Sequence, residues 1–129
     1  MKIAVIGTGY VGLVSGTCMA ERGHRVICTD IRSEVVSAIN ASQPPIHETG
    51  LEELLRMVRA NGTLSAVTDT QGAVRDSEVT LICVGTPTVD GRMDISQVVA
   101  AAEVIGEALA NKSGFHAVSF TRIPSEGGK

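Results

Sequence analysis

The residues of this chain best suited to chemistry are three glycines and an aspartate. Gly7, Gly9 and Gly12 stand in the run Gly7-Thr8-Gly9-Tyr10-Val11-Gly12, and Asp30 follows 18 positions after the last glycine. Glycines in this pattern bring backbone N–H groups close to a phosphate, and an aspartate at this distance can accept hydrogen bonds from a sugar hydroxyl. Gly7 permits a tight turn, Gly9 lets backbone come close to a pyrophosphate, and Gly12 allows the next helix to pack tightly on the preceding strand. The N-terminus of that helix offers unpaired N–H groups and a partial positive charge to the phosphates. Asp30 is placed to accept hydrogen bonds from an adenosine ribose, and its charge repels the extra phosphate of NADP. The expected ligand is NAD. Related turns serve FAD, S-adenosylmethionine or simple helix–strand packing, so the surrounding frame has to decide.

That frame is strand, helix, strand. Lys2-Ile3-Ala4-Val5-Ile6 reads as the first strand, Tyr10 to Arg22 as a helix with Val11, Val14 and Cys18 on one face, and Arg25 to Thr29 as the second strand. Gly23 sits past the helix's last turn. The uncharged run from Ile3 to Ala20 resembles a targeting segment only in length, because four glycines interrupt it and one basic residue precedes it.

Further along, Ser33 is expected to cap a short helix through Ile39, and the two prolines after Gln43 force an exposed loop. Leu51 to Ala60 carries Leu51, Leu54, Leu55 and Val58 on one face, with Asn61-Gly62 as its stop. Leu64 to Thr68 reads as a short strand, Gly72 to Asp76 as a turn or one helical turn, and Val79 to Val84 as a strand ending at Gly85-Thr86-Pro87. Val89 to Arg92 is a turn. Ser96 is expected to cap a helix to about Ala110, with Val98, Val99, Ala102, Ile105, Ala108 and Leu109 available for burial. Phe115 to Phe120 resembles a strand, and the polar remainder from Thr121 should fray. Strands alternating with helices imply α/β architecture: a Rossmann-type, doubly wound parallel sheet, incomplete at its C-terminal end.

Composition agrees. The 129 residues are 43% hydrophobic and 19% charged, in keeping with one globular domain, and aromatics are so few that the core must be aliphatic. A formal net charge of −3 without a basic stripe argues against nucleic acid as a partner, and no stretch suits a membrane. The three cysteines, Cys18, Cys28 and Cys83, each lie in an apolar run and are expected as buried free thiols in a reducing cytoplasm. With the three histidines they make no metal-ligand spacing.

The glycine turn, Pro45-Ile46-His47-Glu48-Thr49-Gly50-Leu51 and Val84-Gly85-Thr86-Pro87-Thr88 occur in that order. Together they resemble the cofactor domain of the UDP-glucose/GDP-mannose dehydrogenases, over about residues 1–118, most closely the bacterial UDP-glucose 6-dehydrogenases. The resemblance implies NAD-dependent oxidation of a nucleotide sugar at C6, with UDP-glucose as the expected substrate, in a cytoplasmic homodimer that serves polysaccharide biosynthesis. It also implies that Gly7, Gly9, Tyr10, Val11 and Gly12 hold the pyrophosphate, Asp30 the adenosine ribose, and Gly85, Thr86 and Pro87 the nicotinamide ribose. Glu48 belongs to a loop that approaches the cofactor in the family; alternatively it only favours the N-terminus of the helix at Leu51.

Three departures stand out. Val35 occupies a position where the family often has lysine, leaving Arg32 as the nearby positive charge, and Thr49 replaces a usual proline. After Val118 the family's Ser-Thr-Val-x-Pro-Gly turn is replaced by a divergent tail, residues 119–129, as though truncated or frame-shifted. The family's nucleophilic cysteine, lysine and asparagine would lie beyond residue 129, so no catalytic residue is expected in this chain. A stand-alone NAD-binding or regulatory module is the alternative.

Overall fold

The structure, a computed structural model, describes residues 1–121. Its elements follow in order: β1 (Lys2–Ile6), α1 (Tyr10–Glu21), β2 (Arg25–Thr29), α2 (Ser33–Asn40), α3 (Leu51–Asn61), β3 (Leu64–Val67), α4 (Thr70–Arg75), β4 (Val79–Ile82), β5 (Thr88–Val89), β6 (Arg92–Met93), α5 (Ser96–Ala110) and β7 (Ala117–Phe120). Five strands form one sheet in the order β3-β2-β1-β4-β7, each pair parallel. The chain therefore leaves β1 toward β2 and β3 on one side, and later returns to the other side of β1 with β4. This reversal beside β1 is where open α/β sheets bind ligands.

The sheet is covered on both faces, which is why its strands read as continuous apolar runs. Alternate residues of β1 divide between two cores. Ile3 and Val5 join Leu13, Val26, Ile39, Leu55 and Leu64 beneath α1–α3, while Ile6 joins Val74, Ile82, Ala101, Ile105 and Ala108 beneath α4 and α5. Edge strand β3 is closed by side chains. The Asn40 amide donates to the Ala66 carbonyl and accepts from its N–H, and Arg59 donates to the Leu64 carbonyl. Backbone groups that would otherwise lack partners are thus satisfied at the end of the sheet.

Several details differ from the sequence expectation. The face α1 buries is Gly12, Leu13, Gly16, Thr17 and Ala20, with Val11 and Val14 half-buried and Cys18 exposed. α1 lies so close to the turn and to β2 at Gly12 and Gly16 that a Cβ there would press on Gly7, Cys28 or Val26, and this fixes the inner face, on which Leu13 fills the core. Ser33 and Ser96 are not caps. The cap positions are Arg32 and Ile95, neither making a side-chain cap bond, and the Asp94 carboxylate takes the Ser96 N–H. In α5 the buried residues are Ala101, Ile105 and Ala108, while Val99 and Ala102 face outward. β4 stops at Ile82, so Cys83 to Pro87 continue past the strand's carboxyl end as a loop. The turn at Val89–Arg92 proves to be a two-residue hairpin with Asp90 and Gly91 between β5 and β6. Gly72 belongs to α4, which Asp69 caps by accepting the Gly72 N–H. β7 starts at Ala117 and leaves Phe115 exposed. The expected fraying tail lies, apart from Thr121, outside the described residues. Among the described residues no helix is long and apolar enough to cross a membrane.

Candidate cofactor site

The glycine turn joins β1 to α1 at the carboxyl edge of the sheet. Gly7 has φ +98°, a conformation that side chains disfavour, and its N–H donates to the Thr29 carbonyl at 3.0 Å. A Cβ there would come within 2.8 Å of the Cys83 carbonyl oxygen. At Gly12 a Cβ would collide with the Gly7 carbonyl oxygen and crowd the Cys83 Cβ. The turn is therefore packed between the first helical turn and the loop after β4, with no room for side chains at either glycine. Gly9 differs: it caps α1 at φ −73° and ψ −162°, and a Cβ there would meet nothing within 4 Å.

The open space at Gly9 adjoins the N-terminus of α1, whose backbone donors no side chain among the described residues caps. α1 has no side-chain cap bond and no acidic residue in its first turn. The first intrahelical bond is Leu13 N–H to the Gly9 carbonyl, leaving the N–H groups of Tyr10, Val11 and Gly12 available. These donors and the dipole behind them fit a pyrophosphate. The residues present thus suit a dinucleotide.

Asp30 lies just past the carboxyl end of β2, beside the turn, because β1 and β2 pair with Ile6 opposite Thr29. It is 8% exposed. Its Oδ1 accepts from the Arg32 N–H at 2.9 Å and Arg32 Nε at 3.0 Å; its Oδ2 accepts from Thr8 Oγ1 at 2.5 Å and from the Arg32 guanidinium at 3.2 Å. Burial pushes its pKa up, but the hydrogen bonds from Arg32 and Thr8 and the Arg32 charge outweigh burial and bring it down to about 2. Thr8, 2% exposed, was not singled out by the sequence; only its place between the first two glycines points to it.

A depressed carboxylate pKa stabilises the fold above the unfolded value, near 4, and that contribution is lost as pH falls through about 2. The contribution is on the order of 2 kcal/mol. Denaturant titrations of the parent and Asp30→Asn should therefore converge between pH 4 and 2, the parent losing about that much more than the variant. A constant difference between them would show that Asp30 is not held ionised by its neighbours.

Tyr10 and Glu48 meet although 38 residues apart, the tyrosine hydroxyl donating to Glu48 Oε2 at 2.7 Å. Both are exposed, and the hydrogen bond from Tyr10 to this carboxylate raises the tyrosine pKa. The Glu48 side chain is thus turned toward α1; the cap of α3 is Gly50, which makes no side-chain cap bond. Val35 is buried in the core at 7% exposure and cannot reach a ligand, whereas Arg32 lies beside Asp30. Gly85, Thr86 and Pro87 follow the Cys83 segment that packs on Gly7, and Thr86 is buried at 6%. A hollow of about 560 Å³ at the opposite end of the sheet, among Met1, Lys2, Arg25, Asp76, Glu78 and Lys112, does not adjoin any of these residues. Among the described residues no group of three histidine, cysteine or acidic side chains could hold a metal ion.

A parallel sheet reversing beside β1, a glycine turn pressed against a helix N-terminus and a carboxylate at the next strand end define a dinucleotide-binding α/β domain. Residues 1–120 match the model of the UDP-glucose/GDP-mannose dehydrogenase family, NAD binding domain. The chain belongs to this family, and NAD is its cofactor. It is 44% identical over 119 residues to GDP-mannose 6-dehydrogenase of Pseudomonas aeruginosa and 47% identical over 120 residues to UDP-glucose 6-dehydrogenase of Rhizobium meliloti, in each case with 92% of this chain matched. It spans 27% of the length of each of these relatives. A ternary complex of GDP-mannose dehydrogenase from Pseudomonas aeruginosa superposes with a TM-score of 0.93 at 42% identity, covering 95% of this chain and 28% of the other. UDP-glucose dehydrogenase from the hyperthermophilic archaeon Pyrobaculum islandicum gives 0.89 at 37% identity, covering 95% and 29%.

Proposed function

We propose that this chain is the cofactor-holding, N-terminal part of a nucleotide-sugar 6-dehydrogenase, with UDP-glucose as the first substrate to test. Its relatives act on UDP-glucose or GDP-mannose by name, and this chain's similarity to the two kinds is comparable. The observation that carries the reading is the pairing of the Gly7–Gly12 contact with the buried, ionised Asp30 at the adjoining strand end. In this reading the N–H groups of Tyr10, Val11 and Gly12 hold the pyrophosphate and Gly9 keeps space for it. Asp30 takes the adenosine ribose, with Arg32 beside it. Gly85, Thr86 and Pro87 flank the nicotinamide ribose, and Glu48, tied to Tyr10, closes the loop before α3 against the same edge. When bound, NAD supplies the hydride acceptor. The domain limits at residues 118 and 119, a homodimeric whole protein and a cytoplasmic location belong to the same proposal.

The test is thermal denaturation with and without NAD, after circular dichroism has shown a folded chain. NAD at 100 times its dissociation constant should stabilise the fold by ~2.7 kcal/mol, and NADP less. A melting point that ignores millimolar NAD, or rises more with NADP, contradicts the reading.

Gly9→Ala separates binding from folding. Its backbone is in a region open to alanine and its Cβ would touch no protein atom, so the melting point should stay within a degree or so of the parent. The methyl group would stand where the pyrophosphate approaches, and NAD affinity should fall at least about tenfold, or ~1.4 kcal/mol. Unchanged affinity in this variant would mean that the cofactor lies elsewhere.

A further inference from the structure

Asp30 has no acceptor capacity left. An ionised carboxylate offers about four lone-pair positions, and here all four are taken by donors of the same chain. Two of these donors, the Arg32 N–H and the Thr8 hydroxyl, are fixed by backbone or burial. The other two, Arg32 Nε and its terminal nitrogen, come from a side chain 58% exposed to solvent, against 7% for the Asp30 side chain. A ribose diol that donates to Asp30 must displace the second pair and leave the first.

We infer that Arg32 tunes the cofactor specificity that Asp30 sets: its guanidinium occupies the ribose position on Asp30, must swing out when NAD enters, and then stands where it can pair with the 2′-phosphate of NADP. The inference rests on the reading of Asp30 as the ribose acceptor. It follows from the geometry that Arg32 acts on the two nucleotides in opposite directions. It competes with the ribose hydroxyls of NAD, and it offsets the repulsion that Asp30 alone would impose on a 2′-phosphate. The domain therefore prefers NAD by a narrower margin than its aspartate would set. Displacing a half-exposed guanidinium is a modest cost, because exposed ion pairs contribute little, so the effect on NAD is a matter of a few-fold.

The experiment measures dissociation constants of NAD and NADP by calorimetry on the 129-residue chain, for the parent, Arg32→Ala and Arg32→Lys. Arg32→Ala keeps the backbone N–H on Asp30 and removes only the side-chain fork. It should bind NAD about three- to tenfold more tightly and NADP about tenfold more weakly than the parent. Arg32→Lys keeps the charge without the two-pronged geometry, so NADP affinity should stay near the parent value while NAD still tightens. This variant also carries the test if the alanine variant fails to fold. Parallel weakening of both nucleotides would make Arg32 an ordinary contact and overturn the inference, as would no change in either. A folded parent that binds neither nucleotide overturns the NAD reading itself, and the role of Arg32 falls with it.

Discussion

Gly12→Ala should both destabilise this domain and abolish its cofactor binding, unlike the Gly9 substitution three residues earlier. The added methyl group would overlap the Gly7 carbonyl oxygen, a backbone atom already fixed by the Gly7 N–H bond to Thr29 and by the Cys83 carbonyl against the other side of the turn. Neither partner can yield without moving α1 or the loop after β4. Overpacking of this kind costs about 3 kcal/mol, which for a domain of this size lowers the melting point on the order of 10 °C. The same displacement pulls the N–H groups of α1 away from the phosphate position, so NAD binding should be lost in whatever fraction remains folded. Thermal denaturation and NAD calorimetry on the variant check both parts. A Gly12→Ala chain as stable as the parent would mean that α1 does not approach the turn as closely as described.

The second large effect is an absence of turnover. The chain by itself should form no NADH from UDP-glucose, UDP-galactose or GDP-mannose. Oxidation at a hydroxyl carbon needs that carbon held about 3–3.5 Å from the nicotinamide and a base aligned on its proton. For the second oxidation, aldehyde to acid, the family resemblance implies an activated cysteine thiolate. Burial drives the Cys28 thiol up to about 12, with a further contribution from Cys83, and burial raises Cys83 as well. Cys18 is exposed, yet it lies about 12 Å along α1 from the helix end that faces the cofactor. None is placed to attack a substrate there. Absorbance of NADH with each sugar at millimolar concentration reads the result. Two NADH per sugar, retained after repurification, would show that these 129 residues suffice and that the expected absence of turnover is wrong.

The sequence by itself determined the order and type of the main elements and the place of the glycine turn. Those features are set locally, by apolar periodicity, by glycines where backbone must bend and by an acidic residue at a fixed distance. It also pointed to Asp30 as the candidate ribose acceptor, from its place 18 residues after the last glycine at the end of the second strand. Only the tertiary structure decided which face of α1 is buried, because the helix touches the turn and β2 at Gly12 and Gly16, where no side chain fits, and that contact turns Leu13 into the core and leaves Val11 and Val14 half-buried. Only it joined Tyr10 to Glu48 and Asn40 to Ala66, pairs whose members are 38 and 26 residues apart and carry no shared local signal. The same holds for Arg32. Its sequence position shows a positive charge near an aspartate, but that it saturates the carboxylate depends on the turn after β2 and on Thr8 arriving from β1, and such geometry exists only once the strands have paired.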